Sequence, residues 1–168
     1  VGFMPLVDAA LLIAAQSEGF AEAEGLALEL VREVSWANIR DRLNVGLFDA
    51  AHMLAPAAIA THLGLGQVQV DLAVPVALNL NGNAVTLSRP LAAAVAEAVQ
   101  GSMLDPAATA RALAAVVARR AAEGAPQLTL GHVFPYSTHH YQLRLWLQAG
   151  GLDPDRDLRL VVLPPPYM

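Results

Sequence analysis

Short apolar segments alternate with stretches of helical periodicity along the whole chain, and this alternation restricts the fold more than any other feature. Strands separated by helices of about 10–15 residues are joined by right-handed crossovers and pair in parallel. The sequence therefore predicts an α/β fold with a mostly parallel sheet. The strand-like segments are 1–4, 26–33, 47–53, 67–80, 84–88, 127–134 and 158–163, and the helical ones are 9–20, 35–46, 55–66, 89–100, 105–123 and 137–149.

Local sequence signals mark the N-termini of two predicted helices and one predicted turn. Ser35 precedes one helical segment, and Asp105 precedes another that has Pro106 in its first turn, as helix N-termini prefer. The extended run through 67–88 is broken by the turn-forming residues 81–83, Asn-Gly-Asn. We interpret it as a crossover near 79–84 between two α/β lobes, 1–82 and 83–168.

The composition excludes several classes of protein. Hydrophobic residues make up 55% of the chain and charged residues 15%, yet no apolar run reaches the roughly 18–20 residues that cross a bilayer. We therefore expect no transmembrane segment. The net charge is −5 and all ten basic residues are scattered arginines, which argues against direct nucleic acid binding. The absence of cysteine excludes disulfides and thiolate metal sites.

The chain begins directly in an apolar segment, VGFM, and ends in PPPYM. We therefore expect it to be an excised fragment of a longer protein. The lack of a signal sequence then leaves the compartment open.

Several loops that follow predicted strands carry uncharged hydrogen-bond donors. Ligands of open α/β folds bind beyond the carboxyl ends of the strands, where helix N-termini add backbone N–H groups. Such a set of donors suits a small anion better than a bulky organic substrate. The donors are Ser35, Trp36, Asn81, Asn83, Ser137, Thr138 and His139.

The adjacent histidines His139 and His140 do not indicate a metal site, because neighbours in a regular helix cannot both face one ion. His52, His62 and His132 lack the spacing of metal ligands, so we expect no metal. The chain has no cysteine nucleophile, no Gly-x-Ser-x-Gly elbow and no phosphate loop. We therefore expect neither a catalytic residue nor a cofactor.

Ordinary structural roles compete with these binding roles. We expect His140 to be a solvated helix residue, whereas His139 fits a helix cap as well as a ligand-binding residue. An aromatic residue on the first turn of an amphipathic helix, such as Trp36, usually packs in the core. The rigid prolines 164–166 fit a connector or the wall of a pocket.

A series of motifs resembles one known family. In collinear order, the chain is similar to the nitrate-, nitrite- and bicarbonate-binding branch of the ABC-transporter solute-binding proteins. Cytoplasmic nitrate/nitrite sensors, which pair with an RNA-binding antiterminator, are similar over the same motifs. The motifs are GFMPLVDAA (2–10), SWANIRDRLNVGLFDAAHMLAP (35–56), LNLNGNAVTLS (78–88), FPYSTHHYQLRLWLQAGGLDPDRD (134–157) and VVLPPPYM (161–168).

The resemblance implies a type II periplasmic-binding-protein-like fold whose two hinged lobes close on one oxyanion. This chain would be lobe 1 and part of lobe 2. The family's ligand-binding positions match Trp36, Asn83, His139 and Pro165, and the neighbours Thr138 and Gly82 complete the predicted set. The family commonly has Gln at the position of Asn83. It also uses a Lys, which these residues lack and which we expect beyond Met168.

The resulting hypothesis is a non-enzymatic protein that binds nitrate or nitrite, with bicarbonate as the other candidate ligand. It would serve an ABC-transporter permease in the periplasm or at the membrane, and the alternative is a cytoplasmic sensor. Two further hypotheses remain open. One is an enzyme, which would use Ser137 with His139 or belong with the pyrimidine-precursor synthases of the same fold. The other is a partner-binding domain.

Overall fold

The structure is a computed structural model that describes residues 1–80 and 82–168, so Asn81 of the predicted turn lies outside the described residues. The chain divides into two compact units. The first consists of Val1–Gly82, Tyr136–Thr138 and Pro164–Met168, and the second of Asn83–Pro135 and His139–Leu163. That these units are lobes that close on a ligand stays a prediction.

The first unit is built on short parallel strands. Strand β1 (Gly2–Phe3) pairs in parallel with β2 (Val31–Arg32), and on its other side Gly2 forms a parallel bridge with Ala51. The helices are α1 (Ala10–Ser17), α2 (Phe20–Ala23), α3 (Trp36–Asn44) and α4 (Ala55–His62), with 3-10 turns at Val7–Ala9 and Pro165–Tyr167.

Gly2 is required where β1 meets the segment around Ala51. Its N–H donates to the Ala50 carbonyl at 3.1 Å and its own carbonyl accepts from the His52 N–H at 2.8 Å. A Cβ at this position would overlap the ring of Phe48. The missing side chain therefore allows the close approach that holds His52 at the end of this sheet.

The second unit packs helices against a separate parallel pair. Strand β3 (Thr129–His132) pairs with β4 (Arg159–Val162), and Thr129 aligns with Arg159 and His132 with Val162. The helices are α5 (Arg89–Ala98), α6 (Pro106–Ala122) and α7, which runs over Thr138–Ala149. The core is formed by apolar side chains of both layers, among them Val95, Leu113, Val116, Leu130, Leu143 and Leu147.

Several local predictions are confirmed. Ser35 caps α3 by accepting from the Asn38 N–H at 3.1 Å, and Asp105 caps α6 by accepting from the Ala107 N–H at 2.9 Å. The parallel pairing and the helices between the strands confirm the predicted α/β class.

The strand predicted over 84–88 is wrong, and the segment 67–80, predicted to be extended, pairs into no strand among the described residues. Most residues of both segments are exposed. A strand needs a neighbouring chain to pair its backbone N–H and C=O groups. No such neighbour pairs with either segment within the described part of the chain. The predicted strand 47–53 is likewise reduced to the single bridge at Ala51.

None of the described helices combines the length and the apolar character that crossing a bilayer requires.

Candidate functional site

In the first unit, the carboxyl ends of the parallel strands place three polar groups at one edge. Glu33 follows β2, Trp36 starts α3 three residues later, and His52 follows the bridge at Ala51. The edge beyond the carboxyl ends is where open α/β sheets bind ligands. The Ser35 cap fixes the first turn of α3, so that Trp36 lies at a helix N-terminus.

Trp36 is the most informative of these residues. Its side chain is 3% exposed, and its indole Nε1 is buried without a hydrogen-bond partner among the described residues. A buried N–H left unpaired costs about 1–3 kcal/mol, and buried tryptophans usually satisfy theirs. Both the core role and the ligand role considered for Trp36 are therefore compatible with its position, and the unpaired N–H favours the ligand role.

His52 lies against Trp36 and was not predicted as a site residue. The two rings meet edge to face, with centroids 5.2 Å apart and an interplanar angle of 78°. His52 is 5% exposed, and its Nδ1 also lacks a hydrogen-bond partner. Burial lowers the pKa of His52 below 6.5, against smaller opposing effects of the Asp8 charge and the Met4 backbone. The imidazole is therefore neutral near pH 7.

Glu33 would repel an anion at this edge if its charge were uncompensated. Its carboxylate is 5% exposed and pairs with Arg42, Oε1 to Nη1, at 2.7 Å. The Asn38 side chain donates to the other oxygen at 3.3 Å. The ion pair neutralises the carboxylate, so neutral donors dominate this edge.

The structure assigns four of the six predicted site residues to the first unit and two to the second. Beside Trp36, the first unit contains the exposed Gly82 and Thr138 and the half-buried Pro165. Asn83 and His139 belong to the second unit. Their joint action on one ligand stays a prediction.

In the second unit, Asn83 is held against α7. It is exposed, and its Nδ2 donates to the Gln142 Oε1 at 2.8 Å. Gln142 lies three residues after His139, one helical turn along. The hydrogen bond therefore links Asn83 to the helical turn that carries His139, the other predicted site residue of this unit.

A histidine pair lies at the carboxyl end of β3. His132, the last residue of that strand, is 4% exposed, and its Nδ1 lies 3.1 Å from the Phe134 carbonyl. Its Nε2 lies 3.3 Å from the Nδ1 of His140. A carbonyl only accepts, so in the neutral pair the His132 Nδ1–H donates to Phe134 and the His132 Nε2 accepts from the His140 Nδ1–H.

This pair corrects the prediction that His140 is a solvated helix residue. His140 is half-buried, its ring centroid lies 4.4 Å from that of His132, and Tyr141 packs on it edge to face. Burial is the largest cause that lowers the pKa of both His132 and His140. For His132, the hydrogen bond to the Phe134 backbone opposes this effect and the charge of His139 adds to it, so the pKa of His132 stays lowered.

Within residues 1–80 and 82–168, no group of three or more His, Asp or Glu side chains is arranged to hold a metal ion. The facing nitrogens of His132 and His140 are committed to each other. The second unit also contains a cleft of about 430 Å³ between α5, α6 and β3, and none of the predicted site residues lines it.

Comparisons with known proteins identify the family of the chain and a similar fold. The model of the NMT1-like family matches residues 1–168. The nitrate import ATP-binding protein NrtC of Synechocystis sp. PCC 6803 is 36% identical over 171 residues, covering 100% of this chain and 23% of that protein. The nitrate/nitrite binding protein NrtA of Nostoc sp. PCC 7120 is 33% identical over 173 residues, covering 100% of this chain and 36% of its own length.

A solved structure extends the similarity to the fold. The periplasmic nitrate-binding protein NrtA from Synechocystis PCC 6803 matches 99% of this chain with a TM-score of 0.82 and 29% identity. The match covers 41% of that chain, so this chain spans well under half the length of the relatives described. The predicted periplasmic-binding-protein-like fold and the resemblance read from the motifs are confirmed. With a family model that matches every residue and relatives similar over its whole length, the chain belongs to the NMT1-like family.

Proposed function

We propose that the protein containing this chain binds a small oxyanion, with nitrate or nitrite preferred and bicarbonate as the other candidate. The observation that carries the proposal is the buried indole N–H of Trp36, which has no partner among the described residues. An oxygen of a bound anion would accept the hydrogen bond that this N–H can donate. The N-terminus of the nine-residue helix α3 adds a favourable dipole at the same place.

The chemistry of the two units suits a monoanion. Transferring an unpartnered ion out of water costs several kcal/mol or more, so hydrogen-bond donors must replace its hydration shell. We assign this role to Trp36 in the first unit and to Asn83 and His139 in the second. Gly82, Thr138 and Pro165 complete the proposed site, as the resemblance implies.

Transport is the setting that the relatives favour. Those described above are named as components of nitrate import or as nitrate/nitrite binding proteins, and a further relative, the bicarbonate transport ATP-binding protein CmpC of Synechocystis sp. PCC 6803, is 37% identical over 175 residues. We accordingly assign the protein to the solute-binding part of an ABC transporter, acting in the periplasm or at the membrane and delivering the anion to a permease.

The enzyme hypothesis has less support. Its nucleophile would be Ser137, which is fully buried at 0% exposure. A hydroxyl sealed from solvent is poorly placed to attack a substrate. The relatives are named as binding and transport components, which agrees with a protein that leaves its ligand unchanged.

The test is calorimetric titration of the full-length protein with nitrate, nitrite and bicarbonate, using Trp36→Phe and Trp146→Phe as matched variants. Trp36→Phe retains an aromatic ring but removes the unpaired N–H, and we expect at least a tenfold loss of affinity, about 1.4 kcal/mol. The Trp146 N–H is already satisfied by the Pro106 carbonyl at 2.9 Å. Trp146→Phe should therefore retain wild-type affinity. Absence of binding for all three ions in the wild-type protein would refute the proposal.

A further inference from the structure

We propose that His52 is a second ligand-binding residue of the first unit and that it contacts the oxyanion through Nδ1. This inference rests on the proposed function, because it assigns a further residue to the same site. The sequence analysis did not select His52 as a site residue, and the evidence for it is the burial and the hydrogen bonding of its ring.

The first step is the pairing of two incomplete polar groups. His52 Nδ1 and Trp36 Nε1 are both buried, and neither has a hydrogen-bond partner in the described part of the chain. Their side chains are 5% and 3% exposed, and the ring centroids are 5.2 Å apart. Buried polar atoms are nearly always satisfied in native proteins. Two unsatisfied nitrogens on adjoining rings therefore indicate one ligand that forms a hydrogen bond with each of them.

The second step is the position of His52. Its backbone N–H donates to the Gly2 carbonyl at 2.8 Å, directly after the parallel bridge at Ala51. The residue thus lies at the carboxyl end of a sheet segment, the edge at which ligands of this fold class bind. The close approach at Gly2 fixes its backbone, so the imidazole is held by rigid structure and not by a loose loop.

The third step is the class of ligand that such a nitrogen accepts. Burial favours the neutral ring, and a hydrogen bond to the Met4 backbone opposes this effect. A backbone carbonyl only accepts, so with Nδ1 unpartnered the ring nitrogen that donates to Met4 is Nε2, and the neutral ring presents Nδ1 as an acceptor. As an acceptor it takes the O–H of bicarbonate. The Trp36 N–H, a donor only, serves an oxygen of either ion. His52 therefore contributes to binding the ion that carries a proton, bicarbonate.

The experiment compares His52→Phe, His52→Asn and His52→Gln in the full-length protein, titrated with nitrate and with bicarbonate. The Asn side chain places a polar atom near the position of Nδ1, whereas the Gln side chain places one near Nε2. We expect His52→Phe to weaken binding of bicarbonate by at least tenfold. We also expect His52→Asn to bind at least several-fold more tightly than His52→Gln. His62→Phe is the control, because His62 lies in the same unit with half its side chain exposed.

The outcomes separate this inference from the proposed function. If the wild type binds nitrate but not bicarbonate, or if Trp36→Phe weakens bicarbonate binding while His52→Phe does not, the inference is refuted and the proposed function stands. Equal losses of affinity in His52→Asn and His52→Gln, with urea denaturation showing that both variants are folded, would show that His52 only packs at the site. This result would also refute the inference. If the wild type binds neither ion, both the function and the inference fail. If His52→Phe does not fold, the comparison of affinities between His52→Asn and His52→Gln tests the inference.

Discussion

The histidine pair of the second unit predicts that this unit loses stability as the pH falls. The folded structure lowers the pKa of His132 and His140 below the ordinary 6.5, mainly through burial. The charge of Arg144 lowers the pKa of His140 further and that of Asp155 opposes it. Protonation of either ring would also set two N–H donors against each other across the 3.3 Å contact.

The sign and size follow from proton linkage. Below about pH 6.5 the unfolded chain binds protons that the folded pair does not, so the free energy of unfolding decreases as the pH falls. Each histidine contributes a slope of at most about 1.4 kcal/mol per pH unit, and two contribute at most twice that. The slope ends once the pH passes below the folded pKa values. Above about pH 7 the pair adds no pH dependence, because it is neutral in both states.

The assay is urea unfolding of the full-length protein at several pH values between 5 and 8, followed by the fluorescence of Trp146 in a background in which every other tryptophan is replaced by Phe. In the double variant His132→Leu/His140→Leu both polar partners become apolar, which limits the cost of leaving one of them unpaired. We expect the double variant to lose less stability on acidification than the wild type. The control is Leu147→Val, which perturbs a fully buried side chain of the same unit without removing a titratable group. Its pH slope should equal that of the wild type.

Parallel stability curves for the wild type and the double variant would refute this reasoning. They would mean that the pair takes up protons in the folded state as readily as in the unfolded one. A nuclear magnetic resonance titration of the two imidazoles gives an independent check. It should show the pKa of both His132 and His140 below 6.5.

Two other substitutions test the second unit. His139→Ala should weaken anion binding at least tenfold, as calorimetry measures. His140→Ala should chiefly lower stability, by about 1–3 kcal/mol in urea denaturation, because it leaves the buried Nε2 of His132 unpaired. Equal losses of affinity would show that the wrong histidine was assigned to the ligand. Gly150→Ala should cost about 1–3 kcal/mol, since a Cβ there would overlap the Ala110 carbonyl on α6. Gln148→Ala, an exposed change in the same region, is the control in thermal unfolding, and equal melting temperatures for the two variants would contradict the packing argument.

Helices were predictable from the sequence because their signals are local. The Ser35 and Asp105 caps lie within two or three residues of the N–H groups that they satisfy, so a short stretch of sequence contains the whole interaction. The strands were harder, because pairing depends on a distant partner. Segments 67–80 and 84–88 have the alternation of strands, but no described segment pairs with them.

The site residues show the same difference between local signals and contacts that depend on distant parts of the chain. The resemblance supplied Trp36, and its predicted helix start is confirmed. His52 was missed because its evidence is three-dimensional. Sequence spacing does not reveal that it packs on a tryptophan 16 positions earlier or that its Nδ1 is buried without a partner. One signal was available: His52 is the penultimate residue of the predicted strand 47–53, near the strand end where this fold class binds ligands. His140 was placed in solvent because its contact with His132 depends on the turn between β3 and α7.

The charges of the described residues lead to a last expectation about selectivity. Two arginines on the helices of the proposed donors are already paired, Arg42 of α3 with Glu33 at 2.7 Å and Arg144 of α7 with Asp155 at 2.7 Å. Burial also keeps His52 neutral by lowering its pKa. What these residues offer a ligand is a set of dipoles, and the Lys that the family resemblance implies would add one positive charge, so the site compensates one negative charge far better than two. A dianion such as sulfate would leave its second charge unbalanced in a desolvated site. We therefore expect sulfate to bind the full-length protein at least a hundredfold more weakly than nitrate in competition calorimetry, and comparable affinities would show that more than one unpaired cation takes part in binding.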